Sequence, residues 1–365
     1  EAKSNPYPSE KKKPLTGKLF IAILVLIIIG QFAYYKYDQS KGSADEIKEV
    51  SIAVLPLEYQ SQDQDKEYLA KGAGDAISDH LSKIKGLRVT PRTSVEQYRG
   101  TVKTARVIGE ELNVNYLLEG SFFMVDNKVV LRINLISTED EDQIASKEYN
   151  RDYSEIIQVQ SEVAKTVARE ISIEIGPEAM ERIERIPTED SMAYDYFLRG
   201  NELYFKADPL SQINEEWLGL LDEATLSYKM AIKTDSSFAQ AYIGLARVDF
   251  MRNKDAGILE ESYLNNVILM ANKALELDPN LADAYSVRGL YYARVFKPEL
   301  AVSDSQRALE IDPNNIESLY NLSYVYRNYD LNFMKSLQLL EEIEKRVHSQ
   351  NDLWRLYGEF AEFYV

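Results

Sequence analysis

The residue types that most often carry catalysis or bind metals are scarce in this sequence. There is no cysteine, and there are only two histidines, His80 and His348. Without cysteine, neither a disulfide nor a thiolate metal site can form. Two histidines far apart in the chain do not supply the clustered ligands of a zinc site. The sequence therefore predicts no metal and no cofactor.

Two short motifs could be given a functional interpretation, and for both we favour a structural one. Gly72-Ala73-Gly74 contains a Gly-x-Gly, but it lacks the Lys-Ser/Thr of a loop that cradles phosphate, so we place it inside a helix. Glu139-Asp140-Glu141-Asp142 groups four carboxylates. It has neither the alternating ligands nor the glycine turn of a calcium loop. We interpret it as a solvated hairpin turn.

Charge and local pattern argue against nucleic-acid binding and catalysis in this segment. The net charge is −17, whereas phosphate binding relies on clustered Lys and Arg. Residues 104–114 resemble half of a helix-turn-helix, but the residues that follow have the pattern of a strand and not of a recognition helix. Composition leaves a Ser-His-Asp triad open, although no serine lies in a nucleophile-elbow motif.

The N-terminal part predicts a membrane anchor. Residues 1–18 are polar and basic, residues 19–35 form an apolar run, and residues 36–49 form a polar linker. The run is close to the minimum length that crosses a bilayer. The lysines before it place the N-terminus in the cytoplasm, with the rest facing outward, into the periplasm if the source is a Gram-negative bacterium. One alternative is a buried core helix, although the run is not amphipathic. The stronger alternative is a cleaved signal peptide, although no small-x-small cleavage site follows.

A seven-residue pattern recurs in the C-terminal half. Ala274-Leu275-Glu276-Leu277-Asp278-Pro279-Asn280 returns 34 residues later as Ala308-Leu309-Glu310-Ile311-Asp312-Pro313-Asn314. This resembles the tetratricopeptide repeat, a helix-turn-helix unit of about 34 residues. Weaker copies lie around Ala231, before an insertion near residues 253–261, and around Trp354. We expect residues 191–365 to form an all-α superhelix whose last repeat is truncated.

Residues 50–175 have the alternating pattern of an α/β or α+β domain. Gly176-Pro177 is expected to end its last helix, and residues 176–190 are expected to form a linker to the repeats. The predicted elements are a strand at 51–57, a helix at 67–84, a strand at 86–90, a helix at 104–112, strands at 115–125, 128–137 and 143–149, and a helix at 153–175.

This domain resembles the TolB N-terminal-like domain. The resemblance rests on Ile52-Ala53-Val54-Leu55-Pro56, Gly86-Leu87-Arg88-Val89, Ile108-Gly109-Glu110-Glu111-Leu112-Asn113-Val114 and Tyr116-Leu117-Leu118-Glu119-Gly120-Ser121. In that family, tetratricopeptide repeats often follow the domain. A winged helix, as in membrane-bound regulators like CadC, or a class III nucleotide cyclase domain often precedes it. Neither preceding domain is visible in this sequence.

The repeat resemblance implies a partner-binding groove on the concave face, formed by positions two, five, nine and twelve of each first helix. Six of these positions are our candidates for binding an extended peptide or its carboxylate. The alternative is an ordinary solvated face, with the tyrosines used in packing. The candidates are Arg247, Phe250, Ser286, Tyr320, Tyr324 and Arg327; the other positions are Gln240, Ile243, Asp283, Leu290, Ala293 and Glu317.

Together these features favour a membrane-anchored, non-catalytic module that senses a signal or binds a protein partner in the groove of its repeats. A first alternative is the outward-facing sensory part of a membrane-bound transcription regulator whose DNA-binding domain lies upstream of residue 1. A second is the accessory region of a class III nucleotide cyclase. The sequence upstream of Glu1 would discriminate between them.

Overall fold

The structure is a computed structural model that describes residues 50–207, 214–254 and 261–363. The predicted basic segment, membrane helix and linker at residues 1–49 lie outside the described residues, as does most of the predicted insertion near 253–261. No helix within the described ranges is long and apolar enough to cross a membrane. The described residues belong to one compact unit.

The first part of this unit, here called the sheet domain, is built on a mixed sheet with strand order β3-β1-β4-β5-β6. β1 runs parallel to both β3 and β4, and the short β2 also pairs with β4 in parallel. β4, β5 and β6 form the antiparallel hairpins that the alternating pattern predicts. The strands are β1 Val50–Val54, β2 Glu58–Tyr59, β3 Leu87–Val89, β4 Tyr116–Val125, β5 Lys128–Ser137 and β6 Gln143–Asp152.

Helices pack against both faces of the sheet. On the first face, α1 and α4 bury Ile77 and Val163 against strand residues such as Leu131. On the second face, α3 buries Leu112 against the β1 and β4 side, next to Leu117. The prediction of a sheet-containing domain is therefore confirmed. These helices are α1 Glu67–Ser82, α2 Arg92–Val95, α3 Ala105–Leu112 and α4 Ile156–Glu170.

The segment predicted as a linker, residues 176–190, contains a helix. α4 ends at Glu170, earlier than predicted, and Ser172 takes a left-handed φ of 59°. Gly176-Pro177 begins α5, Pro177–Glu184, instead of ending the long helix. Proline suits the first helical position, where its missing N–H would have no partner. α5 buries Ile183 in the core of the sheet domain, so the connection is packed.

Nine further helices follow within the described ranges and form four antiparallel pairs and a single last helix. This arrangement confirms the predicted tetratricopeptide-like repeats. The first helix of each pair packs against the first helix of the next pair. They are α6 Ser191–Ala207, α7 Glu215–Thr234, α8 Ala239–Lys254, α9 Glu261–Leu277, α10 Ala282–Arg294, α11 Pro298–Ile311, α12 Ile316–Asn328, α13 Phe333–Glu344 and α14 Gln350–Ala361.

Close helix crossings explain why the repeat pattern needs small residues at fixed positions. Tyr228 on α7 is buried between the first helices of two successive repeats. A Cβ at Gly200 would lie 2.7 Å from its ring, and one at Gly244 would lie 2.3 Å from it. The Tyr228 hydroxyl donates to Asn201 Oδ1 at 2.8 Å. Any larger residue at either glycine would push the helices apart.

The turns that join successive repeats share one geometry. The carboxylates of Asp235, Asp278 and Asp312 each accept the backbone N–H two residues ahead, at 2.8–2.9 Å. At the first of these turns Ser236 replaces proline, yet the same turn forms, because the aspartate itself closes it. We call residues 235–237, 278–280, 312–315 and 346–349 the turn edge.

The sheet domain packs against the turn edge. Asn314 Oδ1 accepts the N–H of Val89 at 3.1 Å, and Asn314 Nδ2 donates to the carbonyls of Leu87 and Ser82 at 2.8 and 3.0 Å. β3 is an edge strand, so this one side chain satisfies backbone groups that the sheet leaves unpaired. At the next turn, the backbone N–H of His348 donates to Ser94 Oγ at 2.8 Å.

Candidate functional site

The structure does not bring the six predicted groove residues together. Arg247 pairs with Asp283 at 2.8 Å beside the turn edge. Ser286, Tyr320 and Arg327 are buried, with exposures of 3%, 5% and 5%. Phe250 and Tyr324 are half-buried. The six residues therefore do not form one continuous groove: Arg247 is ion-paired, three of the others are buried and two are half-buried.

The last helix explains why two of these residues are buried. The Arg355 guanidinium of α14 stacks 3.8 Å from the centre of the Tyr320 ring. Arg327 pairs with Glu359 at 2.8 Å and with Glu362 at 2.7 Å, both at the end of the same helix. Both side chains fill the space between neighbouring first helices. We therefore assign Tyr320 and Arg327 to packing, because a partner cannot reach them without displacing α14.

Phe250 and Tyr324 lie in the C-terminal halves of α8 and α12, away from the turn edge. The Arg294 guanidinium lies 6.0 Å from the Phe250 ring centre and 5.5 Å from that of Tyr324. Beyond α10, Phe296 is 79% exposed and meets the edge of the Tyr329 ring at 6.1 Å. We call Phe250, Arg294, Phe296, Tyr324 and Tyr329 the open-edge patch.

Sequence reasoning missed three members of this patch. Arg294 is the last residue of α10, and Phe296 and Tyr329 lie in the loops between paired helices, outside the twelve groove positions. A large aromatic residue just past a helix end was the available signal. Phe296 also has a left-handed φ of 60°, which is costly for a residue with a side chain. Such strain is concentrated at functional positions.

A cavity of about 410 Å³ lies between the sheet domain and the turn edge. We call it the interdomain cavity. One wall is formed by α1, by the first half of α4 and by the segment from Val89 to Arg92. The other is formed by α5, α6 and the beginnings of α8, α10 and α12.

Charged side chains of both signs line the interdomain cavity. Arg92 pairs with Asp75 at 3.2 Å, and Arg185 pairs with Asp278 at 2.5 Å. Burial raises the pKa of Asp75 to about 6, even though Arg92 opposes the rise. Burial, with Asp79 nearby, raises the pKa of Asp312 to about 7. The surroundings of Asp75 and Asp312 therefore stabilise the ionised form of these two side chains poorly.

His80 also lines the cavity. Burial lowers its pKa to about 3, so its ring is neutral at physiological pH. Within the described residues, no three side chains of the metal-ligating types gather as a site. The interdomain cavity and the open-edge patch lie on opposite sides of the repeats.

Two family models match parts of the chain. Residues 48–167 match the second domain of HilA/YgeH-like transcriptional regulators. Residues 305–338 match the tetratricopeptide repeat. The second match covers α12 and parts of its neighbours, and it agrees with the paired helices. The more specific resemblance to the TolB N-terminal-like domain and to CadC stays a prediction.

Among curated proteins, the chain is similar to a putative adenylate cyclase 3 of Rhizobium meliloti (strain 1021). The two are 29% identical over 231 residues, which make up 62% of this chain and 38% of that protein. The chain therefore spans well under half of that relative's length.

Solved structures with similar parts include TTC0263, a tetratricopeptide protein of Thermus thermophilus. It is 16% identical, the match covers 56% of this chain and 92% of that one, and the TM-score is 0.36. The first tetratricopeptide domain of Spaghetti (RPAP3), bound to the HSP90 peptide SRMEEVD, is 24% identical. That match covers 39% and 97% of the two chains with a TM-score of 0.30. Both likenesses are local, and neither bears on function.

Proposed function

We propose that this chain is the non-catalytic, partner-binding region of a signalling protein, and that its repeats bind another protein through the open-edge patch. Arg294 is the observation that carries this proposal. Its side chain is exposed and lies between two aromatic rings. It has no carboxylate partner among the described residues. A guanidinium held in this way is suited to bind a carboxylate of a partner.

The rest of the patch suits the apolar part of the same partner. Aromatic residues and arginine are the side chains that dominate binding energy in protein interfaces. The ring of Phe296 is mostly exposed, and the hydroxyl of Tyr329 is fixed by donating to the Ala293 carbonyl at 2.8 Å. The preferred partner segment therefore carries an acidic residue next to an apolar one.

The membrane anchor belongs to this proposal. Residues 19–35 would hold the protein in the bilayer with the N-terminus in the cytoplasm. The test is a carbonate wash of native membranes. Retention of the full-length protein supports an anchor, and release of a shortened chain supports a cleaved signal peptide.

A regulator is the second candidate function, and the match of residues 48–167 to a regulator's second domain favours it. The repeats would then sense a partner and pass the signal to a DNA-binding domain upstream. The cyclase relative suggests a third arrangement, with a cyclase domain elsewhere in the complete protein. Assaying the complete gene product for DNA binding and for cyclic nucleotide production distinguishes the two.

The interaction proposal is tested by crosslinking in native membranes, with Arg294→Glu combined with Phe296→Ser as the variant. Leu226→Ser is the matched control, because Leu226 is 62% exposed on α7, away from the patch. We expect one protein to be captured by the wild type and by the control but lost with the variant. The captured protein should then bind the purified wild-type chain directly. Equal capture by the variant would contradict the proposal.

A further inference from the structure

The interdomain cavity has the size of a small-molecule site. Its volume of about 410 Å³ falls within the range of ligand pockets, roughly 300–1,000 Å³. Its walls come from the sheet domain and from the repeats, so a bound molecule would contact both. It lies on the opposite side of the repeats from the open-edge patch, so ligand binding in the cavity would not require that patch.

Five buried polar atoms on the side chains that line this cavity have no hydrogen-bond partner among the residues that the structure describes. An unpaired buried polar group destabilises the folded state, so a cluster of them requires an explanation. Gln160, Thr90 and His80 are almost completely buried, with exposures of 1%, 1% and 6%. The five atoms are Arg92 Nη1, Gln160 Nε2, Arg182 Nε, His80 Nδ1 and Thr90 Oγ1.

These unpaired atoms indicate the chemistry of the missing partner. Those of Arg92, Gln160 and Arg182 can only donate, and those of His80 and Thr90 can do either. The carboxylates on the cavity wall are already engaged by protein donors, as the Arg92–Asp75 and Arg185–Asp278 pairs show. The cavity therefore has spare donors, and a ligand that fits it must present acceptor oxygens.

Helix ends add to this preference for an acceptor. α8, α10 and α12 all begin at the cavity wall, where Gln240, Ala282 and Ile316 lie. A helix N-terminus carries unpaired N–H groups and a partial positive charge, both of which favour an anion. At α10 the capping position is Leu281, whose side chain cannot accept a hydrogen bond.

The remaining wall is apolar and aromatic. Phe197 and Phe238 lie 4.9 Å apart, and Tyr194 lies 6.5 Å from Phe238. The Tyr194 hydroxyl donates to Gln160 Oε1 at 3.1 Å, which turns the Gln160 amide so that its NH₂ group is left without an acceptor in the described part of the chain. An apolar surface thus adjoins a spare donor.

We propose that the interdomain cavity binds a small organic acid with an apolar body. The carboxylate would accept from Gln160 and Arg182, and the apolar part would pack against Tyr194, Phe197 and Phe238. Because the walls belong to two parts of the chain, such a ligand would hold the sheet domain and the repeats together. If the chain has a sensing role, the small organic acid is the signal that it detects.

The test is fluorine NMR of the full chain with three probe acids: 4-(trifluoromethyl)benzoate, 4-(trifluoromethyl)phenylacetate and 6,6,6-trifluorohexanoate. The amine 4-(trifluoromethyl)benzylamine is the comparison of opposite charge. We expect saturable binding of at least one acid and no saturable binding of the amine. Absence of saturable binding by all three acids, or equal binding of acid and amine, would overturn the proposal.

Variants then locate the site. Arg182→Gln removes a donor, Thr90→Val keeps the shape while removing the unpaired hydroxyl, and Ala76→Leu places a larger side chain at the cavity wall. We expect Arg182→Gln and Ala76→Leu each to weaken acid binding at least tenfold, and Thr90→Val to weaken it severalfold.

The control for these variants is Arg252→Gln. Arg252 also has a buried, unpaired Nε, but it does not line the cavity. Binding should stay within twofold of wild type in this control and in Arg294→Glu, which alters only the open-edge patch. If the Ala76→Leu protein does not fold, Arg182→Gln and Thr90→Val still decide the outcome. If Arg182→Gln and Thr90→Val both bind the acid with wild-type affinity, the acid binds elsewhere and the proposal is contradicted.

Discussion

The two edges of the repeat stack are built from the same helices but have opposite environments. At the turn edge, Asn314 binds the edge strand of the sheet domain and the backbone of His348 binds Ser94. At the other edge, Arg294 and Phe296 face solvent. The repeat pattern therefore specifies the stack without specifying which side is free. The sheet domain decides that, because it covers the turn edge.

The turn edge itself shows the same contrast on a smaller scale. Asp278 and Asp312 occupy equivalent positions and close equivalent turns. Both are buried, but Asp278 pairs with Arg185 of α5, whereas Asp312 has the acidic side chains of Asp79 and Asp283 nearby. Asp278 thus stabilises the contact with α5, whereas burial of the Asp312 carboxylate in its ionised form lowers the stability of the folded chain.

The largest effect is expected from reversing a charge under α14. Arg327→Glu would bury a carboxylate beside Glu359 and Glu362, and we expect a loss of about 3–5 kcal/mol in the free energy of unfolding. Urea denaturation measures it. Arg307→Glu is the control. Arg307 makes an exposed pair with Glu310 and one long hydrogen bond to Asn280, so its replacement should cost less than about 1 kcal/mol. Similar losses in both would mean that α14 does not cover Arg327.

The next effect tests the contact at the turn edge. Asn314→Ala removes three hydrogen bonds to the sheet domain and leaves backbone groups of β3 unpaired, which should cost about 2–3 kcal/mol. The amide of Val89 should also exchange faster with solvent. Asn280→Ala, at the same position of the preceding turn, removes one long hydrogen bond from Arg307 and should cost about 0.5 kcal/mol. Equal losses of unfolding free energy in Asn314→Ala and Asn280→Ala would show that the turn at Asn314 does not hold the sheet domain more strongly than the turn at Asn280.

A pH-dependent effect separates the two aspartates. Because the pKa of Asp312 is raised to about 7, the folded protein holds a proton there that the unfolded chain releases near pH 4. Its contribution to stability therefore falls as the pH rises from roughly 4 to 7. We expect Asp312→Asn to raise the melting temperature by several degrees at pH 8, with the gain shrinking as the pH falls towards 4.

Asp278→Asn is the control for that prediction. It breaks the pair with Arg185, so it should lower the melting temperature at pH 8. Scanning calorimetry of both variants across this pH range measures the difference. A loss of stability in Asp312→Asn at pH 8 would show that the buried carboxylate is stabilising after all.

The smallest effect concerns the open edge. Phe296→Gly relieves a left-handed backbone at an exposed position, and we expect a gain of up to about 1 kcal/mol together with loss of partner binding. Leu331→Gly is the matched control, since Leu331 has a φ of 51° and is 67% exposed in the corresponding loop of the next repeat. It should gain stability and keep partner binding. Loss of binding in both variants would argue for a general effect of loop flexibility.

Much of the fold follows from local signals in the sequence. The 34-residue spacing of the Ala-Leu-Glu-x-Asp-Pro-Asn pattern sets the helix pairs and their turns. Alternation along residues 115–149 marks the hairpins of the sheet. The end of α4 was misjudged, because Gly176-Pro177 can either end one helix or begin the next, and local sequence does not distinguish these.

The candidate sites depend on contacts that local sequence does not record. Two of the six groove predictions, Phe250 and Tyr324, lie in the open-edge patch, whereas Tyr320 and Arg327 are covered by α14. The interdomain cavity joins residues such as Thr90 and Asp312, which are far apart in the chain. The sequence by itself determined the repeating helices, because their periodicity is local. Only the tertiary structure decided which faces are buried, because that depends on how two folded surfaces fit together.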